Sequence, residues 1–159
     1  MCAEKTIKKE QIKLDSIDIQ ILKSLSEDAR KSSREIAKEL GIATGTVYNR
    51  IKRLTDEKII KGYVTMLDAS KVGFELSALI LLQVDGKFLI EVEKNLATLD
   101  DVYSVYDITG DYDVAVVARF RDRASLNKFI KSVLTIPHIR RSVTSIVLNV
   151  VKETYSLNL

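Results

Sequence analysis

Apolar residues at helical spacing organise the first third of this chain. Leu14, Ile17, Ile21, Leu22 and Leu25 fall on one face of a predicted helix, with Asp15 placed to cap its start. The polar run SEDARKS ends it. Ser32 and Glu35 form the S-x-x-E pattern of a capping box, in which each side chain satisfies the other residue's backbone N–H. The helix they open passes through Ile36, Ala37 and Leu40 and stops at Gly41, a residue type that tolerates the left-handed C-terminal turn. After Gly41-Ile42-Ala43, a third helix sets Val47, Ile51 and Leu54 on one face and Tyr48, Asn49, Arg50, Lys52 and Arg53 on the rest. Three short helices with a tight glycine turn between the last two predict a helix-turn-helix. A small helical bundle without a nucleic-acid partner shows the same periodicity. The tight turn and the basic outer side of the third helix favour DNA binding.

Beyond Glu75 the period changes. LSALILLQV (76–84) reads as a buried strand, and Phe88, Leu89, Val92, Leu96 and Leu99 mark a helix. Strands at 102–109 and 113–120 flank a Gly-Asp-Tyr turn. Leu126, Phe129, Ile130, Val133 and Leu134 mark a helix ending before Pro137, and VTSIVLNVV (143–151) is the last strand. The order β-α-β-β-α-β is ferredoxin-like. The expected organisation is α+β: a mobile leader at 1–13, a winged-helix-like helix-turn-helix domain at 14–61, a linker at 62–75 and a ferredoxin-like domain at 76–159. In the first strand Ala78, Ile80, Leu82 and Val84 point one way and Leu79 and Leu81 the other. The last strand repeats this, with Ile146, Leu148 and Val150 opposite Val143, Val147 and Val151. Two helices cover one face of a four-stranded sheet, and monomers rarely expose a second apolar face. A homodimer is the expected cover.

Charge sharpens this division. Residues 1–67 hold 14 Lys/Arg against 10 Asp/Glu, and residues 68–159 hold 11 against 12, within a net charge of +3. The window 30–61 alone has 9 basic and 4 acidic residues, a surface suited to a polyanion. Cys2 is the sole cysteine, so no intrachain disulfide can form, in keeping with a reducing compartment. The polar, basic first ten residues lack a secretory signal, and the longest apolar stretch, near Ala78–Leu82, is too short for a bilayer. The expectation is a soluble cytoplasmic protein with no membrane partner.

Catalytic chemistry finds little to stand on. His138 is the sole histidine, no His/Cys cluster suits zinc, and neither a P-loop nor a G-x-G-x-x-G run occurs. Asp100, Asp101, Asp111 and Asp113 read as helix-end and turn residues. No catalytic residue, metal site or cofactor is expected. The main alternative is a small-molecule-binding metabolic enzyme or sensor on the ferredoxin-like fold, which hosts many functions. An RNA-binding sheet would need exposed aromatics for stacking, whereas Tyr103, Tyr106 and Tyr112 are accompanied by aliphatics that read as buried.

The run LDSIDIQIL (14–22), then SSREIAKELGIATGTVYNRIKRL (32–54) and IIKGYV (59–64), resembles the Lrp/AsnC family of feast/famine regulators. TGDYDVAVVARF (109–120) and the spacing of Ile136, Pro137, Ile139, Thr144, Ile146, Val147 and Leu148 extend the resemblance through the second half. It implies a transcriptional regulator with a RAM-type effector domain, binding double-stranded DNA as a dimer that assembles further, commonly to an octamer. It also implies a free amino acid as effector, sensed at contacts between dimers. The recognition helix would be about 44–56, with Thr44, Thr46, Tyr48, Asn49 and Arg50 near base edges or adjacent phosphates and Lys52 and Arg53 on phosphates. An effector pocket would form around Thr109, Gly110, Asp111, Tyr112 and Asp113, completed by Arg123 and by Ser145, Ile146 and Val147. A carboxylate there suits an α-ammonium, and turn N–H groups suit an α-carboxylate. Gly110-Asp111 also fits an ordinary hairpin turn. Three departures stand out: Ala43 replaces the family's usual serine cap, leaving Thr44 as substitute; Lys58 stands where the family often has glycine; and Pro137-His138 replaces Pro-Gly.

Overall fold

The structure, a computed structural model, describes residues 13–159, so Cys2 and all of the expected leader except Lys13 lie outside the described residues. The chain divides into two units: one runs to Thr65 and includes Thr154–Leu159, and the other is Met66–Glu153. The break falls inside the expected 62–75 connection. The last six residues, expected with the sheet, group instead with the helices. No helix among the described residues is long and apolar enough to cross a membrane.

The first unit contains α1 (Ser16–Glu27), α2 (Ser33–Leu40) and α3 (Thr44–Asp56). Asp15 caps α1 and Ser32 caps α2, each in a reciprocal box with Asp18 and Glu35. Such caps satisfy N–H groups that the helix itself leaves unpaired. Gly41 ends α2 at φ 67°, the left-handed turn expected of it. Helix α3 departs from expectation. Thr44 is its first helical residue and Ala43 the cap, with no side-chain hydrogen bond, so Thr44 is not a substitute cap. A cap side chain must come from the residue before the helical turn, and alanine offers none. At the far end Lys58 takes φ 61°, which lets Ile59 and Ile60 both donate to the Leu54 carbonyl. That turn brings Ile60 into the core of Ile21, Leu25, Ile36, Ala37, Val47 and Leu54. Truncating fully buried Leu54 to alanine would cost about 2–5 kcal/mol, a large share of the stability of so small a unit. The chain then runs without helix or strand from 61 to 68.

The second unit is an antiparallel sheet in the order β2-β3-β1-β4, from β1 (Leu76–Val84), β2 (Val102–Asp107), β3 (Val114–Phe120) and β4 (Ile139–Ile146). Helices α4 (Leu89–Leu96) and α5 (Arg123–Val133) complete the ferredoxin-like pattern. Ala78, Ile80, Leu82 and Val84 pack with Val114, Val116, Ala118 and Phe120 beneath Val92, Leu96, Leu126, Phe129 and Val133. The alternation in β1 is as expected, and its odd-numbered residues line the other face. There Leu79 pairs with Val117, and Leu81 lies between Ala115 and Val143. Tyr103 and Tyr106 are exposed, and the Arg119 guanidinium lies 4.5 Å over the Tyr103 ring.

The last strand lies earlier than its hydrophobic pattern implied. β4 begins at Ile139 and ends at Ile146, opposite Ala78; one further bond joins Val147 N–H to the Ser77 carbonyl. Past that point only Leu76 remains of β1, and the pairing stops. The charged residues Arg140 and Arg141 masked its first half, yet an edge strand accepts charge readily. Leu148 and Val151, expected within the strand, are instead 97% and 91% exposed.

Candidate DNA interface and effector site

Helix α3 buries Val47 and Leu54 with Ile51 beside them, which fixes what faces outward. Gly45, Tyr48, Asn49 and Lys52 follow one another at i, i+3, i+4 and i+7, a continuous stripe opposite the buried one. All four are exposed, Tyr48 by 60%. Thr44, Thr46 and Arg53 are also exposed and flank this stripe. Among the described residues an added Cβ at Gly45 would meet nothing within 4 Å, so their packing does not demand glycine there.

Arg50, expected near base edges or adjacent phosphates, is turned back. Its Nη1 donates to both carboxylate oxygens of Asp15, at 2.8 and 2.6 Å, and to Asp18 Oδ1 at 2.8 Å. Arg53 Nη2 donates to Asp18 Oδ2. Asp18 is fully buried and anchors a cluster of two guanidiniums on two carboxylates, whose outer members Asp15 and Arg53 remain exposed. Burial alone would push the Asp18 carboxyl up; hydrogen bonds from Arg50, the Asp15 N–H and Arg53 outweigh it and hold the group below its ordinary value. The Arg50 hydrogen bond, with the Asp18 N–H, likewise lowers Asp15. Sequence pattern assigned Asp15 to a cap and left Asp18 without a role. The signal was present in the spacing of two carboxylates on α1 and two arginines on α3, but pairing between them needs the tertiary fold.

A cleft of about 520 Å³ opens beside the start of α3, lined by Arg34, Lys38, Gly41, Ile42 and Thr44 among others. Arg34 and Lys38 were not singled out by the sequence, because they read as the solvated face of α2. Their position beside an uncapped helix start makes them relevant to an anion.

In the second unit, Thr109–Asp113 forms the link from β2 to β3, with Gly110 at φ 124°. Asp113 Oδ2 accepts from the Val84 N–H at 2.8 Å, and the Asp113 N–H donates to the Leu82 carbonyl at 3.0 Å. Its carboxylate therefore ties the turn to β1. Asp111 is exposed, and its carbonyl accepts from Gln83 Nε2 at 3.1 Å. The Arg141 guanidinium lies 5.9 Å from the Tyr112 ring centre. Arg141 and Gln83 are therefore neighbours that the sequence did not indicate. Arg123 and Ser145–Val147, expected to complete the pocket, lie elsewhere. Arg123 follows the end of β3 that pairs with Leu76, roughly 20 Å of strand from the turn. Ser145 pairs with Leu79, roughly 10 Å along β1 from Leu82. A single chain does not bring these three parts together.

Family models match both units: an AsnC-type helix-turn-helix domain at residues 14–55 and the Lrp/AsnC ligand-binding domain at 77–157. The chain belongs to the Lrp/AsnC family. It is 44% identical to an HTH-type transcriptional regulator of Pyrococcus furiosus, over 92% of this chain and 99% of that one. The regulator Ptr1 of Methanocaldococcus jannaschii is 43% identical over 74% of this chain and 79% of its own length. Among solved structures, the complex of the transcriptional regulator NMB0573 of Neisseria meningitidis with L-Met superposes with a TM-score of 0.84 at 27% identity, covering 92% of this chain and 97% of that one. AsnC of E. coli gives 0.82 at 26% identity, covering 89% and 97%. As an Lrp/AsnC member, this chain is a transcriptional regulator with a helix-turn-helix DNA-binding domain followed by a ligand-binding domain.

Proposed function

We propose that this Lrp/AsnC regulator reads duplex DNA with the Gly45–Tyr48–Asn49–Lys52 stripe and that a free amino acid modulates its assembly or DNA binding. The outward stripe on α3 carries the first part. Asn49 can make the paired contacts that distinguish adenine, and Tyr48 and the Thr44 and Thr46 hydroxyls flank it. Lys52 suits phosphate, as do Arg34 and Lys38 beside the uncapped start of α3. Arg50 is assigned to the fold rather than to DNA, because its guanidinium is already engaged by Asp15 and Asp18.

The uncovered sheet face of Leu79, Leu81, Val117, Val143 and Tyr106 supports a homodimer, with higher assembly such as an octamer. The amino acid is assigned to the 109–113 turn, where Asp111 offers a carboxylate for an ammonium group and Arg141 a cation for a carboxylate. Arg123 and Ser145–Val147 could join that site only from another copy, which ties effector binding to assembly and so to DNA. The protein acts in the cytoplasm and as a regulator rather than an enzyme.

The test is selection of duplexes from a random pool by the full chain, followed by titration of the selected duplex with and without common amino acids, L-methionine first. A selected consensus and a shift in affinity or assembly with one or a few amino acids are expected. No enrichment over random duplex would refute the DNA reading. Enrichment without any amino-acid response would remove the effector.

A further inference from the structure

A cluster of two carboxylates and two guanidiniums joins α1 to α3. Asp15 and Asp18 hold one another through reciprocal backbone bonds: the Asp18 N–H donates to Asp15 Oδ1 at 2.8 Å, and the Asp15 N–H to Asp18 Oδ2 at 3.1 Å. The start of α1 therefore aims two carboxylates at α3. Arg50 and Arg53, at i and i+3, answer them from the flank of the reading helix. The side chain of Asp18 is 1% exposed and that of Arg50 23%, so the Arg50–Asp18 pair is partly sheltered from salt, whereas Asp15 and Arg53 stand at the solvent edge.

Its effect on DNA binding follows from charge. Free arginines beside a recognition helix reach phosphates, and phosphate contacts strengthen binding to every sequence alike. With Arg50 and Arg53 matched to Asp15 and Asp18, Lys52 is the one cation of α3 left without a carboxylate partner among the described residues. Recognition then depends on Tyr48 and Asn49, whose contacts differ from base to base. We propose that Asp15 and Asp18 are positioning residues for DNA reading, which hold Arg50 and Arg53 off the phosphate backbone and so widen the gap between operator and random-sequence binding. This rests on the DNA-reading role of α3.

Asp15→Asn is the fold-sparing variant, because asparagine caps a helix as well as aspartate does. Asp18→Asn and the double variant release more, and Arg50→Met removes the guanidinium. Each full-length protein is titrated with the duplex selected by the wild type and with random-sequence duplex, over about 50–200 mM salt. Both Asp variants should bind random duplex more tightly and narrow the selected-to-random ratio. Their slope of log affinity against log salt should steepen by about 0.9 for each guanidinium released per protomer. Arg50→Met should leave the wild-type slope unchanged.

Two results would overturn the proposal. One is a folded Asp15→Asn variant, and a folded double variant, with the wild-type slope and ratio. The other is an Arg50→Met slope flatter by about 0.9, which places Arg50 on a phosphate. Equal loss of both affinities in all variants, with lowered thermal midpoints, would make the cluster merely structural and also overturn it. Failure of the wild type to bind any duplex would instead refute the underlying DNA role, before the variants are compared.

Discussion

Lys58 and His138 share a positive φ, 61° and 72°, and among the described residues no other non-glycine does. Each stands where the resembling family commonly has glycine. The left-handed region costs an L-residue roughly 1–2 kcal/mol, so both turns carry strain that glycine would remove. The Cβ-bearing residues are kept differently in the two places. Lys58 is exposed, whereas the His138 ring stacks on Phe88 with centroids 3.5 Å apart.

Lys58→Gly should therefore raise stability by about 0.5 kcal/mol, the relief of strain less the added freedom of the unfolded chain. His138→Gly should give little or no gain, because the stack with Phe88 is lost, and His138→Ala should destabilise. Thermal midpoints of the three variants check this ranking. A gain at 138 equal to that at 58 would remove the stacking term.

Gly45 separates stability from function. No neighbour occupies the space of its missing side chain, and alanine is the better helix former. Gly45→Ala should stabilise the protein by about 0.5 kcal/mol while weakening duplex binding several-fold, because a methyl group would stand at the N-terminal end of the proposed DNA-facing stripe. Thermal melts and DNA titration of the same sample decide it. Unchanged DNA affinity would exclude close approach at this position.

The acid limb of stability should depend on Asp15 and Asp18. Both are held below the ordinary aspartate value of 3.8, so their contribution is complete above that pH and is lost as pH falls through their lower folded values. Urea midpoints of the wild type should fall between neutral pH and about pH 3. Asp18→Asn should start lower at neutral pH and show a flatter acid dependence, so that the two curves converge. Parallel curves would mean that the cluster contributes nothing to the pH dependence.

Charge placed on the uncovered sheet face should break the proposed dimer. Val117→Lys or Leu79→Glu would bury an unpaired charge in a sheet-to-sheet contact, at a cost of about 3–5 kcal/mol. Neither residue belongs to the helix-covered core, so the folded unit should persist. Sedimentation should show monomers for the variants and a larger species for the wild type. Identical sedimentation of all three would place the interface elsewhere.

Local chemistry was legible in the sequence, and long-range pairing was not. Asp15, Ser32 and Gly41 announce helix ends because their effects span at most four residues, and β1 announces itself by strict alternation. The last strand was displaced because apolar residues at 147–151 alternate as well as a strand does, while pairing depends on where β1 runs out at its N-terminal end. The local pattern points Arg50 toward DNA for a similar reason: its partners, Asp15 and Asp18, lie 35 and 32 residues away. Thr109–Asp113 and Ser145–Val147 were joined by resemblance, yet the sheet register sets them apart within one chain.

The most direct test of the account is Asn49→Ala, titrated with the wild-type-selected duplex and with random duplex at the same salt. A reader at the centre of the α3 stripe should lose about 1–3 kcal/mol, roughly 5–150-fold, on the selected duplex with little change on random DNA. Undiminished preference for the selected duplex in Asn49→Ala, and again in Tyr48→Ala, would contradict the assignment of this stripe as the DNA-reading surface.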